Sequence, residues 1–258
     1  MTLILRSVLF NLLFYLNLVL HLVATVPALL MSKRAMVSIA KSWGWSSNWL
    51  LRVICNVRTE FVGLDKISNG PLLVASKHQS IWETFSLMML FDMPTFVLKR
   101  ELMWLPFFGW GLWKAGMIPV DRGAGSRALA AMTQRAAVEV RSGRQLIIFP
   151  EGTRRPPGAE PKYKFGVAHL YEQIGVPCVP IALNSGLFWG RRQFIRRPGT
   201  IRLEVLDPIA PGLDKQIFFQ ELQARLENAT DRLIAEGRRE LEGNGVAAPP
   251  PSSSRGLA

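Results

Sequence analysis

His78 and Glu83 lie five residues apart in the run Ser76-Lys77-His78-Gln79-Ser80-Ile81-Trp82-Glu83. An apolar, strand-like stretch, Pro71-Leu72-Leu73-Val74-Ala75, ends directly before this run, and a helix-like stretch over 81–91 begins within it. The histidine therefore falls on a strand-to-helix turn, a loop held between rigid elements where functional side chains concentrate. Within one α-helix, residues five apart sit about 140° apart around the axis and would not meet. With Ser80 as N-cap, His78 stands outside the helix, and Glu83 in the first turn can reach back to the imidazole. A carboxylate on Nδ1–H fixes the tautomer and leaves Nε2 free to take a proton, the base and orienter of a catalytic triad. The same spacing has a plain structural reading, since Ser80-x-x-Glu83 is also a capping box serving only the helix N-terminus. This stretch alone leaves both readings open.

Four more clusters follow, or form, strand-like runs: Lys99-Arg100-Glu101-Leu102 with Pro106-Phe107-Phe108-Gly109-Trp110; Gly116…Asp121-Arg122; Phe149-Pro150-Glu151-Gly152-Thr153-Arg154; and Val176-Pro177-Cys178-Val179-Pro180-Ile181. Ligands of open α/β sheets bind outside the carboxyl ends of the strands, so His78, Arg122 and Arg154 are expected to converge on one cleft. A guanidinium matches phosphate oxygens with a planar fork, and Gly152 would let backbone N–H groups approach an anion closely. Plainer readings stand beside these. Asp121-Arg122 also reads as a surface ion pair, and the 151–154 run as a turn with a helix cap. Lys99 and Arg100 also read as lipid-facing cations beside a Trp-rich helix, and Arg191-Arg192…Arg196-Arg197 as a solvated or head-group-binding loop.

The elements that must position these groups belong to an apolar, basic chain. Of 258 residues, 49% are hydrophobic, the mean hydropathy is +0.17 and the net charge is +12. Such a balance calls for an anionic partner, and the apolar excess favours a membrane surface over nucleic acid. Cys55 and Cys178 both lie in apolar runs and read as buried reduced thiols. No Cys/His spacing suggests zinc, and no metal site is expected.

Residues 8–31 contain no Asp, Glu, Lys or Arg. As a helix they would extend roughly 36 Å, enough to cross a hydrocarbon core. Asn11, Asn17, His21 and Pro27 interrupt the run; His21 reads as packed or interfacial. Lys33, Arg34 and Lys41 mark a cytoplasmic flank. A second helix over 35–55 carries Trp43, Trp45 and Trp49 as an interfacial belt. Residues 1–55 thus read as membrane-attachment helices, either one span or a shallow pair. Strands are predicted at 57–63, 71–76, 95–98, 117–120, 145–149, 178–183 and 200–206, and helices at 81–91, 101–114, 125–142, 163–174 and 214–242. Their interleaving predicts an α/β fold with a largely parallel, mixed sheet flanked by helices over 56–243. Residues 244–258, with three consecutive prolines and a serine run, read as a disordered tail.

His78-x4-Glu83, Gly116…Asp121-Arg122, Phe149-Pro150-Glu151-Gly152-Thr153-Arg154 and Val176-Pro177…Pro180-Ile181, in that order, resemble the four motifs of the glycerolipid acyltransferase family, and among its members the bacterial 1-acyl-sn-glycerol-3-phosphate acyltransferases most. The resemblance spans roughly residues 70–185. It departs at one position: the family has His-x4-Asp, and Glu83 is one methylene longer. The resemblance implies the family's glycerol-phosphate-acyltransferase-like fold. It also implies acyl transfer from acyl-CoA or acyl carrier protein, as thioester co-substrate without a cofactor, to the sn-2 hydroxyl of lysophosphatidic acid, giving phosphatidic acid. Lysophosphatidic acid and membrane phospholipid would be the partners, with no nucleic acid. The protein would sit at the bacterial inner membrane with the domain on the cytoplasmic side.

Under that resemblance His78 is the general base and Glu83 its orienter. Arg122 and Arg154 clamp the phosphate, Lys99, Arg100 and Thr153 are lesser contacts with Gly152, and Glu151 orders the Arg154 loop. No Gly-x-Ser-x-Gly elbow occurs, so a serine acyl-enzyme is not expected. Rival readings are an acyltransferase for another lyso-lipid, such as lyso-ornithine lipid, and a non-catalytic protein binding anionic membranes.

Overall fold

The computed structural model describes residues 2–121 and 125–249. Two long helices come first, α1 (Leu3–Ala28) and α2 (Lys33–Cys55), packed as an antiparallel hairpin. The polar residues that interrupt the apolar run of α1 explain themselves here. Asn17 Nδ2 donates to Ser46 and Ser47, His21 Nε2 lies 3.3 Å from Ser42 Oγ, and its Nδ1 lies 2.8 Å from the Asn17 carbonyl. The opposite face of α1, from Ile4 through Leu12 and Val19 to Val26, is exposed and apolar. By length and composition α1 could cross a membrane.

The α/β portion follows as β1 (Val57–Val62), β2 (Leu72–Ser76), α3 (Trp82–Leu90), β3 (Pro94–Lys99), α4 (Phe108–Lys114), β4 (Ile118–Val120), α5 (Gly125–Arg141), β5 (Gln145–Ile148), α6 (Gly166–Ile174), β6 (Cys178–Leu183), α7 (Ser185–Phe188), β7 (Gly199–Val205) and α8 (Lys215–Gly243). The strands form one sheet in the order β1-β7-β6-β2-β5-β3-β4, parallel except between β6 and β7. β2 is central and buried on both faces, which is why its sequence is continuously apolar. Its side chains alternate: Leu72 and Val74 join the core under α1, α2 and α3, while Leu73 and Ala75 join the core under α5, α6 and α8. The molecule is thus three layers, with the sheet between the two sets of helices. All seven predicted strands and the α/β class are present.

Three elements differ from the sequence reading. The helix expected over 101–114 is split into a 3₁₀ turn, Arg100–Trp104, and α4, because Pro106 lacks an N–H and Phe107 adopts a φ of 61°. The four-residue helix α7 carries no period a sequence could reveal. Of the tail expected from 244, residues 244–249 lie against the domain, where Val246 and Ala248 pack on the core and Arg197 donates to the Ala247 carbonyl. Residues 250–258 lie outside the described residues.

The hairpin shares its core with the sheet domain. Phe14 stacks among Trp43, Phe85 and Trp189, and Trp189 also meets Phe10 edge-on at 5.2 Å. Arg196 lies across the Trp189 ring and donates to Asn11 Oδ1, while its backbone N–H donates to Ser7 Oγ. Phe14→Ala is therefore expected to lower the unfolding free energy by about 3–5 kcal/mol in detergent-solubilised protein. Denaturant unfolding checks this; a loss under ~1 kcal/mol would mean that α1 is not docked.

Candidate active site

The sheet order accounts for the convergence of the motifs. β6, β2, β5, β3 and β4 lie side by side and point the same way, so the loops after all five open on one edge. His78 follows β2, Phe149 to Arg154 follow β5, Ser185 follows β6, and Lys99 with Arg100 ends β3. Two backbone bonds tie these loops together: Lys77 N–H donates to the Ile181 carbonyl, and Arg155 N–H donates to the His78 carbonyl at 2.8 Å.

Glu83 is fully buried, and four donors meet its carboxylate. Oε1 accepts from His78 Nδ1 at 2.9 Å and from the backbone N–H groups of Gln79 and Ser80 at 2.6 Å each; Oε2 accepts from Ser185 Oγ at 2.9 Å. A carboxylate so placed can only accept, which makes Nδ1 the protonated nitrogen of the neutral ring and leaves Nε2 available. The two readings of Ser80-x-x-Glu83 are therefore compatible: one oxygen serves both the turn and the imidazole. The N-cap is Ile81, one residue later than expected, and Ser80 Oγ accepts from Trp82 N–H. The added methylene of glutamate is absorbed without loss of contact. Phe149 stacks on the imidazole at 4.0 Å between centroids with planes 15° apart, fixing the ring from one face.

A second buried layer supports the turn from beneath. Lys77 Nζ donates to Glu151 Oε1 at 2.9 Å and to Glu227 Oε1 at 2.7 Å, and Glu227 also accepts from Tyr163. Glu151 Oε2 accepts the His78 backbone N–H at 2.8 Å. Burial pushes the Glu151 carboxyl above its ordinary range, while the Lys77 ammonium and the His78 N–H pull it back. Glu151 thus holds the His78 loop itself. Its carboxylate is spent inside the protein, on Lys77 and the His78 N–H.

The other expected residues divide. Arg154 is half-buried near Glu83. Burial lowers its guanidinium below the usual arginine value, Glu83 opposes this, and Arg191 and Arg192 reinforce it. Arg191 donates to the Arg154 carbonyl, so the basic loop read as solvated comes up against this edge. Among the described residues none of these three arginines forms an ion pair, and a half-desolvated cation beside like charges favours an incoming anion. Gly152 has a φ of 67°, and its N–H donates to the Phe149 carbonyl. It closes the turn, where its own N–H is spent. Thr153 is exposed. Lys99 pairs with Glu101 and Arg100 with Asp121, both near the surface on the strand beyond β5. Arg122 lies outside the described residues. Among the described residues no three of His, Cys, Asp and Glu gather as a metal set. Cys55 and Cys178 are both free and buried.

Sequence reasoning missed Lys77, Ser185, Gln79, Tyr163 and Glu227. Gln79 Oε1 accepts from Gly186 N–H, pinning α7 beside the turn so that Ser185 reaches Glu83. Lys77 was adjacent to the motif, and a lysine ending a fully apolar strand was the one available signal.

Comparison with known proteins shows what the chain is similar to. A family model described as Acyltransferase matches residues 58–184. The 1-acyl-sn-glycerol-3-phosphate acyltransferase of Pseudomonas aeruginosa is 35% identical over 198 residues, 77% of this chain and 77% of that protein. The human 1-acyl-sn-glycerol-3-phosphate acyltransferase alpha is 30% identical over 164 residues, 62% of this chain and 57% of that protein. The crystal structure of the Thermotoga maritima 1-acyl-sn-glycerophosphate acyltransferase PlsC shares the fold, with a TM-score of 0.72, 18% identity and coverage of 89% of this chain and 97% of that one. These relatives define an enzyme of acyl transfer. The chain belongs to the acyltransferase family.

Lys77→Met strands the buried Glu151 and the partly buried Glu227 and is expected to lower the unfolding free energy by about 3–5 kcal/mol. Ser185→Ala removes one bond to a buried carboxylate and is expected to cost about 1.5–3 kcal/mol. Thermal or denaturant unfolding of both variants checks the order; equal, negligible losses would contradict the buried layer described above.

Proposed function

We propose that the chain is a 1-acylglycerol-3-phosphate O-acyltransferase, moving an acyl group from the thioester of coenzyme A or acyl carrier protein to the sn-2 hydroxyl of lysophosphatidic acid. The observation that carries this reading is the His78–Glu83 contact at 2.9 Å beside the half-buried Arg154. Nε2 of His78 takes the hydroxyl proton as the oxygen attacks the thioester carbonyl. The tetrahedral intermediate expels the thiolate, which leaves as thiol with the proton held on the imidazole. Glu83 keeps the ring in register and stabilises the imidazolium formed in between. Arg154, with Arg122, receives the phosphate.

Direct transfer is favoured over an acyl-enzyme. Ser76 Oγ is buried and donates to the Lys77 carbonyl, and Ser80 Oγ is buried and accepts the Trp82 N–H. Neither hydroxyl is offered to a substrate.

In the same reading α1 attaches the enzyme to one face of the bilayer. Its buried side is held by α2 and the domain from Ser7 to Thr25, and its exposed apolar side is left for lipid. Lying in the interface in this way brings a membrane-resident acceptor to the domain.

His78→Ala is expected to reduce thiol release by about 10²–10⁴-fold or more while vesicle binding persists. Near-normal turnover would contradict the mechanism. Arg154→Ala is expected to raise KM for lysophosphatidic acid by roughly tenfold or more, the loss of a charge-assisted contact, while leaving monoacylglycerol acylation little changed. Thiol release over a panel of lyso-lipids, with coenzyme A and carrier-protein donors, checks both. Equal loss on phosphate-free acceptors would remove Arg154 from the clamp.

A further inference from the structure

The turn between β3 and β4 has an exposed face that internal packing does not use. Its 3₁₀ segment begins with Arg100 and Glu101, after which the chain is apolar through α4 as far as Lys114. One side of α4, with Phe108, Gly111 and Leu112, closes an apolar hollow against Leu18 and Leu22 of α1. A Cβ at Gly111 would stand 3.0 Å from Thr25 Cγ2, so the helices meet closely there. The opposite side carries Trp110 and Trp113, 49% and 72% exposed; Phe107, at the N-cap, borders the hollow and is 45% exposed, with Trp104 at 67% just before it. A helix apolar all round is expected to be buried on all sides. Here the outward half is aromatic and bare.

The backbone is shaped to keep it so. Phe107 adopts a φ of 61°, a region few side chains occupy. Gly109 lies so close to the Met103 carbonyl that a Cβ would stand 2.1 Å from its oxygen. Only glycine fits, and the tight turn sets Phe107 edge-on against Trp110 with centroids 5.0 Å apart. Strained positions of this kind persist where the surrounding structure over-determines them, and they cluster at functional surfaces.

We propose that this segment is a second membrane-docking element, inserting Phe107, Trp110 and Trp113 among the head groups of an anionic bilayer. The inference rests on the reading of α1 as the attachment helix and extends it. Three observations favour lipid over a protein occupant. α4 packs directly against α1, and both helices leave apolar side chains exposed. Indoles combine an apolar body with an N–H donor, the chemistry enriched at membrane–water boundaries. Lys99, Arg100 and Lys114 border the patch against Glu101 and Asp121, a net positive rim on a chain of net charge +12. The segment also leaves β3 at the edge of the sheet that holds His78. Its insertion sets the depth at which an acceptor hydroxyl meets the site.

Two full-length variants, Trp113→Cys and Val19→Cys, carry an environment-sensitive thiol dye; Cys55 and Cys178 are buried and do not compete. Vesicles of equal parts phosphatidylglycerol and phosphatidylcholine are expected to blue-shift the dye at both positions. A shift at position 19 without one at 113 overturns this inference and leaves α1 attachment standing. No shift at either position overturns both. A shift at 113 without lipid, rising with protein concentration or appearing with acyl carrier protein, assigns the face to a second copy or to the carrier and overturns the proposal. In parallel, Trp110→Ser with Trp113→Ser is expected to raise the apparent KM for bilayer-embedded lysophosphatidic acid by roughly tenfold, while the rate on a short-chain, monomeric acceptor is unchanged. Equal loss on both acceptors would contradict membrane docking.

Discussion

The structure depends on one buried carboxylate. Glu83 has no solvent to fall back on, so every lone pair left unused would cost desolvation energy. Its four donors come from His78, Gln79, Ser80 and Ser185, which lie on the β2–α3 turn and at the start of α7. Satisfying that one group therefore fixes the turn after β2, the position of α7 after β6, and the orientation of the imidazole together. Beneath it Lys77 and Glu151 do the same for the loops after β2 and β5. The imidazole is left with few degrees of freedom, because Phe149 covers one face and Glu83 holds one nitrogen.

The topology explains why such distant residues can cooperate. A parallel sheet directs successive strand ends to one edge, and each crossover helix returns the chain to the other. β2 at the centre collects contributions from β6 on one side and β5 on the other. Charge then sorts across this edge. The carboxylates of Glu83 and Glu151 are buried and partnered, while Arg154 and the Arg191–Arg192 loop stay nearer solvent and, among the described residues, form no ion pair.

Much of this was legible in the sequence, for identifiable reasons. The strands could be read because a buried parallel strand such as Leu72–Ser76 is continuously apolar, and β7 alternates because one face is partly exposed. The pairing of His78 with Glu83 was legible because it is local, set by a single turn. Ser185 and Glu227 were not, since they meet the site from 102 and 150 residues away through tertiary packing alone. The positive φ of Gly152 was not legible, because a glycine has two uses, close approach or positive φ, and only backbone geometry shows the second. The approach of Arg191 to Arg154 was not legible either, because a charge run carries no sign of where its loop folds.

The account stands or falls on how the imidazole of His78 is held. Nitrogen-15 NMR of the histidine-labelled full-length protein in micelles, with His78 assigned by the loss of its signals in His78→Gln, reads the tautomer directly. In the neutral ring the proton is expected on Nδ1, with Nε2 giving the shift of an unprotonated nitrogen. A proton on Nε2 and a bare Nδ1 would contradict it, because Glu83 would then lose its imidazole donor and the base would face the wrong way.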